Sequence, residues 1–199
     1  PGDTVSASVD QERRDDIIRN HTGTHLLHAA LRNQLGKHVQ QRGSLVAPER
    51  LRFDFAHDEK VSPNELRSIE SEVNNIILAN YPVWAEEKSL TEARKEGAMA
   101  LFGEKYSDEV RTVSVGANSS RYSYELCGGV HVHETSEIGP FIIVSEGSVS
   151  AGVRRVEALT GRAAVQYMQQ KLDTLNYVAA QLGATPGETV QRLKGLQNE

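Results

Sequence analysis

The chain has 199 residues and a net charge of −5 at pH 7, with 38% hydrophobic and 25% charged residues; that is enough for one globular domain with a sizeable core, or a domain plus an appendage. The acidic balance excludes a generally basic, sequence-independent nucleic-acid binder but leaves room for a local basic groove. One cysteine excludes an internal disulfide and points to a reducing compartment, and no apolar run reaches membrane-span length.

No signal peptide is visible. The chain begins at Pro1 rather than an initiator methionine and reads as a piece of a longer protein. Thr4 to Val9 alternates, with Val5, Ala7 and Val9 on one face, and predicts a short strand. Asp10 is positioned to cap a helix from Gln11 to Leu35, stopped by Gly36, with Ile17, Ile18, Leu27, Leu31 and Leu35 on its buried stripe. Val39 to Val46 and Leu51 to Phe55 predict strands around a Pro48-Glu49 turn. Alternation of Leu51, Phe53 and Phe55 with Arg52 and Asp54 suits a half-exposed antiparallel sheet.

Ser62-Pro63-Asn64-Glu65 is a capping box with proline at the first helical position, opening a helix to about Asn80 through Leu66, Ile69, Val73, Ile76 and Ile77. Val83 to Glu87 predicts a strand, and Ser89-Leu90-Thr91-Glu92 opens a short helix ending near Gly97. Val110 to Val115, Phe141 to Ser145 and Val153 to Leu159 are further strand candidates. From Arg162 the pattern turns helical through Val165, Met168, Leu172, Leu175, Ala179 and Leu182 until Gly183 and Pro186, after which a second helix can follow. Grouped rather than regularly alternating strands favour an α+β fold, an antiparallel sheet packed with long helices and a C-terminal helical extension.

The motif with the most chemistry is split. His21 and His25 stand at i and i+4 on the long helix, so both imidazoles share a face. The sole thiol, Cys127, stands four residues before His131 around Gly128-Gly129, where two glycines permit a sharp turn. Three imidazoles and a thiolate form a donor set that suits Zn²⁺. Spacing alone leaves two readings open: a shared metal site, or a buried free cysteine with histidines that fill polar gaps in a core. His28 reads as a neighbour rather than a ligand. His133 shares the face of His131 on a strand, and His38 and His57 lack partner spacing.

These residues and their surroundings resemble the editing domain of alanyl-tRNA synthetases. The resemblance rests on Asn20 to Arg32 (NHTGTHLLHAALR), Gln41 to Val46 (QRGSLV), Leu51 to Phe55 (LRFDF), Gly97 to Tyr106 (GAMALFGEKY), Glu125 to His131 (ELCGGVH) and Gly152 to Gly161 (GVRRVEALTG). It runs in order from about Gly2 to Gly161. It implies the editing-domain fold shared by threonyl- and alanyl-tRNA synthetases, and hydrolysis of alanine tRNA mischarged with serine or glycine. A pocket sized for alanine cannot strongly reject either, so a second, hydrolytic site is needed.

By position, the resemblance implies His21, His25, Cys127 and His131 as zinc ligands. It also implies pocket roles for Thr24, which would meet a seryl hydroxyl, and for Gln41. The amides of Gly128 and Gly129 can face the developing oxyanion, and Arg154 and Arg155 are candidates for tRNA phosphate contact, against the alternative of a sheet-edge salt bridge. Residues 1–161 would be the editing domain, with 1–9 the last strand of a truncated barrel, and 162–199 a helical connector toward a further C-terminal domain. ATP and Mg²⁺ would belong to an aminoacylation domain outside this chain.

The implied partner is the acceptor end of alanine tRNA in the cytoplasm, with no DNA or membrane partner. The Leu and Met stripe of the last long helix is open either to self-association or to folding back on its own domain. Gly23 and Val130 stand where the family usually has alanine and threonine, and glycine within a helix costs about 1 kcal/mol relative to alanine; Gly116 to Tyr122 is longer than the family's usual connection, which implies an extended surface loop. Competing readings are a free-standing deacylase with the same core, a zinc-stabilised module that only holds tRNA, and a metalloprotease. The last lacks the glutamate of HExxH, because Thr22 occupies its place.

Overall fold

The computed structural model describes residues 2, 4–100, 105–117 and 120–198. The first helix, α1 (Gln11–Leu35), opens as its sequence predicts: Asp10 Oδ1 accepts from the Arg13 amide at 3.0 Å, and Gly36 ends it with φ of 119°. Its first turns are solvated, but from Asn20 to Leu31 nearly every residue is buried. The helix is therefore a central pillar rather than a surface element with one apolar stripe.

The pillar is enclosed by two antiparallel sheets and a second helix. Strands β1 (Gln41–Val46), β2 (Leu51–Ala56), β6 (Phe141–Ser150) and β7 (Val153–Thr160) form one sheet in the order β1-β2-β7-β6. Strands β3 (Val83–Ser89), β4 (Glu109–Ala117) and β5 (Ser120–Leu126) form the other in chain order. Helix α2 (Pro63–Leu78) carries the predicted reciprocal capping box between Ser62 and Glu65 and buries Ile69, Val73 and Ile77 against α1. One core joins Leu26, Leu27, Leu31, Phe53, Phe55, Ile69, Phe141 and Val156. The short helix α3 (Leu90–Lys95) covers β3 and β4 around buried Ala93. The α+β expectation holds.

Four local expectations are corrected. Thr4 to Val9 forms no strand; Val5 is 82% exposed, and no strand among the described residues pairs with the segment, so its backbone groups face solvent instead of a ladder. Asp54, expected on the solvated face of its strand, is buried. β2 lies inside the sheet, and Asp54 stands directly opposite Arg155, which donates to both carboxylate oxygens at 2.7 and 2.8 Å. Of the loop expected over Gly116 to Tyr122, residues 116–117 end β4 and 120–122 begin β5, and 118–119 lie outside the described residues. A Cβ on Gly116 would lie 2.2 Å from the Ser120 carbonyl oxygen, so glycine permits that close strand approach. The first strand starts at Gln41, not Val39, although Val39 is fully buried.

Helix α4 (Gly161–Gln181) is tied to the start of α1 by Arg162, which pairs with Glu12 and Asp16. A 3-10 turn at Pro186–Glu188 leads into α5 (Thr189–Gln197). Val165, Met168, Leu172 and Leu175 are between 38% and 59% exposed. That stripe therefore does not fold back on the described residues. The 101–104 part of the Gly97 to Tyr106 stretch lies outside the described residues. No helix among the described residues is long and apolar enough to cross a membrane.

Candidate metal centre

The i, i+4 spacing on α1 delivers His21 and His25 to one face, and the chain leaving β5 turns at Cys127 and returns at His131. One donor atom from each of the four lies within 4.8 Å of every other. Cys127 Sγ is 3.4 Å from both His21 Nε2 and His131 Nε2. Tetrahedral zinc, with bonds of about 2.3 Å to sulfur and about 2.0 Å to nitrogen, separates its sulfur and nitrogen vertices by roughly 3.5 Å. The donor set therefore fits zinc in both type and spacing.

The turn is fixed from behind. Arg111 Nη1 donates to the carbonyl oxygens of Cys127 at 2.8 Å and Gly129 at 2.7 Å, and the Cys127 amide donates to the Arg111 carbonyl at 3.0 Å. The two glycines differ. A Cβ on Gly128 would meet nothing within 4 Å, whereas one on Gly129 would lie 1.9 Å from His21 Cε1. Gly129 is thus the point where the turn backbone lies against the His21 ring.

Thr22 selects the tautomer of His131. Its hydroxyl donates to the Ile18 carbonyl at 3.1 Å and accepts from the Val132 amide at 3.2 Å. With its single hydrogen committed, the 3.2 Å contact to His131 Nδ1 requires that nitrogen to carry the proton. Nε2, facing the sulfur, then keeps a free lone pair.

Glu125, buried at the end of β5, faces both His25 and His28. Its Oε1 accepts from His28 Nδ1 at 2.9 Å. Its Oε2 is 3.2 Å from His25 Nδ1, close enough for charge attraction though out of line for a hydrogen bond. Burial works against the ionised carboxylate, but His25 and His28 outweigh it and hold Glu125 below the usual carboxylate range. Burial likewise disfavours protonated His25, and the Glu125 and Cys127 charges reverse that, raising it above 6.5. Replacing Glu125 with glutamine removes the charge while preserving the shape, and is expected to weaken zinc binding by roughly 10- to 100-fold, as chelator competition would register.

Cys127 is the most displaced group. Burial pushes its thiol up, and hydrogen bonds with His131, His21 and His25 overcome this and bring it down to about 3. His131 is pushed down to about 4, chiefly by burial, with repulsion from His25 and His21 adding to it. A thiol depressed in the folded state contributes stability that is complete above its ordinary value of 9.0 and is lost as pH falls toward about 3. Thiolate ultraviolet absorbance of metal-free protein is therefore expected to persist far below neutral pH and fade only as pH nears about 3. Titration at the ordinary thiol value would contradict this.

The other anticipated residues fare unequally. Thr24 is buried, and its hydroxyl donates to the Asn20 carbonyl at 2.8 Å, leaving only acceptor capacity for a ligand. Gln41 lines a cavity beside Glu125 and donates to Ser44 Oγ at 3.1 Å. The oxyanion expectation for Gly129 is corrected: its amide points to Cys127 Sγ at 3.4 Å, as the tight turn requires, and only Gly128 keeps that role open. Arg154 bonds Glu146 at 2.6 Å and Arg155 bonds Asp54, so both serve salt bridges within the sheet. Val130 is 39% exposed. Thr22, Arg111 and Glu125 escaped the sequence reading; Glu125 alone carried a signal, two residues before the only thiol.

Residues 110–157 match the threonyl and alanyl tRNA synthetase second additional domain. The whole chain is similar to alanine–tRNA ligases: 53% identical to that of Herpetosiphon aurantiacus over 98% of this chain and 23% of the relative, 49% to that of Idiomarina loihiensis over 99% and 22%, and 52% to that of Acetivibrio thermocellus over 100% and 22%. The chain spans less than a quarter of the length of these relatives. The chain is thus similar, over nearly all of its own length, to one segment of alanine–tRNA ligases, and its residues 110–157 carry the match to this second additional domain.

Proposed function

We propose that this segment binds one Zn²⁺ through His21, His25, Cys127 and His131 and hydrolyses the ester of alanine tRNA mischarged with serine or glycine. The observation that carries the reading is the convergence of three imidazoles and one thiolate at tetrahedral spacing beside a small cavity. When bound, the ion supplies fixed positive charge that polarises an ester and orders the ligand loop. Four protein donors make a closed site, so positioning falls to the chain's own groups. Gln41 holds the aminoacyl end, the Gly128 amide faces the ester oxygen, and Thr24 offers a lone pair to the pocket.

Arg155, about one third exposed, retains access to a tRNA phosphate beside its bond to Asp54, whereas Arg154 is nearly enclosed. The partner is the acceptor end of alanine tRNA, in the cytoplasm. Residues 1–161 act as the editing unit and 162–199 as a helical connector whose exposed stripe is available for self-association. In this reading the parent protein charges alanine tRNA using ATP and Mg²⁺ outside this chain. The closed donor set also favours one second reading, a zinc-stabilised module that holds tRNA without hydrolysing it.

The two readings separate when the zinc-loaded chain is given seryl- and alanyl-charged alanine tRNA. Hydrolysis of the seryl ester roughly 10- to 100-fold faster than the alanyl ester is expected. Bound zinc and bound tRNA with both esters intact would leave only the holding module.

A further inference from the structure

Alternate residues of a strand face opposite sides of its sheet. In the four-stranded sheet Leu51, Phe53, Phe55 and Val156 take the core side. The register then sets two rows on the other side. One row runs Leu45, Arg52, Glu157, Ser145 across β1, β2, β7 and β6, and the next runs Gly43, Asp54, Arg155, Gly147. Arg50, just before β2, joins them by meeting Glu157. This face is open to solvent: the side chains of Arg50, Arg155 and Arg52 are 49%, 35% and 29% exposed.

The carboxylates on this face are already occupied. Asp54 accepts from Arg155 with both oxygens, at 2.7 and 2.8 Å. Glu157 holds Arg50 Nε at 3.1 Å with Oε1 and accepts from Ser145 at 2.9 Å with Oε2. Arg52 is left with an ion-pair contact of 3.6 Å from its Nε to Asp54 Oδ1, too long for a hydrogen bond. Three guanidinium groups thus stand against two carboxylates, and the face is positive on a chain whose net charge is −5. Solvent-accessible guanidinium groups suit phosphate oxygens, which they meet with paired donors. Gly147 puts no side chain beside Arg155, and a Cβ there would meet nothing within 4 Å, so a ligand backbone can lie low over that row.

The position of the face selects a chain of phosphates over a single anion. Strand β1 is the edge of the sheet, and its Gln41 lines the cavity beside Glu125. Arg52 lies opposite Leu45, four residues from Gln41, which is about 13 Å along the strand and about 5 Å across to the next one. A polymer with a phosphate at every unit can span that distance, and it gains affinity by releasing counterions at each contact.

We propose that the solvent face of this sheet is a docking surface for the sugar-phosphate backbone of RNA, with Arg52 as its principal phosphate contact and Arg50 and Arg155 beside it. The inference rests on the tRNA reading above and adds the path of approach: the RNA lies on the sheet and reaches the cavity over the β1 edge.

The test titrates labelled, uncharged alanine tRNA with zinc-loaded chain by fluorescence anisotropy between about 50 and 200 mM salt. Arg52→Gln is expected to weaken binding roughly 5- to 10-fold and to lower the slope of log affinity against log salt by about one. Adding Arg50→Gln should bring the total fall in slope to about two. Arg52→Lys keeps the charge and should keep the native slope, and Lys194→Gln on α5 should change neither quantity. Zinc affinity should be the same in every variant, because none touches the donor cluster. Unchanged binding and slope in Arg52→Gln overturns the assignment. So does an equal loss in Arg52→Lys or Lys194→Gln, and so does loss of zinc in Arg52→Gln, which would make Arg52 a structural residue. Hydrolysis of seryl adenosine ester by the native chain keeps the two readings apart. If the ester is cleaved while RNA binding is absent or ignores these arginines, the editing reading stands and this surface falls; if the chain neither binds the RNA nor cleaves the ester, both fall.

Discussion

Replacing Cys127 with alanine is expected to lower zinc after dialysis from about one ion per chain to below about a tenth, since structural sites need all their donors and the thiolate is the strongest of these. Three features make the effect large. The sulfur is the only soft donor in the cluster, it sits 3.4 Å from two of the three imidazoles, and it is held as thiolate down to about pH 3. An ion bound only by the folded state stabilises it by about 4 kcal/mol at zinc concentrations a thousandfold above Kd. Loss of the site should therefore cost native protein about that much in zinc-containing buffer, measured by denaturant titration. Without zinc, native and variant chains should differ far less. An equal deficit with and without zinc would show that the thiol acts through packing and its contacts with the imidazoles, and not through zinc.

The second large effect separates two adjacent glycines. Gly129→Ala is expected to displace the His21 ring and weaken zinc binding by more than about 100-fold, with overpacking adding about 1–3 kcal/mol of destabilisation. Gly128→Ala should change both quantities little. The contrast comes from geometry: the new methyl carbon would lie 1.9 Å from His21 Cε1 and 2.6 Å from its Nδ1 at position 129, and in open space at 128. The turn cannot retreat easily, because Arg111 holds the carbonyls on both sides of Gly128. Chelator competition on the two variants in parallel checks the prediction. Similar affinities for both would mean that the turn is softer than these hydrogen bonds imply.

Periodicity and capping chemistry exposed much of this fold because they act locally. Asp10, Ser62 and Ser89 cap the helices they were expected to cap, since a side-chain oxygen and an amide three residues on need no tertiary context. Strand β5 escaped because its buried residues include Ser123, Tyr124 and Glu125, so no apolar alternation announces it. Segment 4–9 failed in the opposite way: it alternates correctly but meets no partner strand among the described residues.

The proposed metal ligands were legible as residue types in two spacings. Their convergence depended on α1 running beside the end of β5, which spacing alone does not contain. The supporting residues were harder still. Thr22, Arg111 and Glu125 act through hydrogen bonds that cross the fold, and of the three only Glu125, two residues before the sole thiol, had a neighbour that marked it. For the arginines of β7 the sequence left a phosphate contact and a salt bridge both open, because a basic pair does not show the carboxylates of Glu146 and Asp54 on neighbouring strands.

X-ray absorption at the zinc edge on the purified chain tests the central claim most directly. The account predicts one zinc with a single sulfur neighbour at about 2.3 Å and three nitrogen neighbours at about 2.0–2.1 Å, the sulfur vanishing in Cys127→Ala. A chain that takes up no zinc, or one whose zinc has no sulfur neighbour, would contradict it.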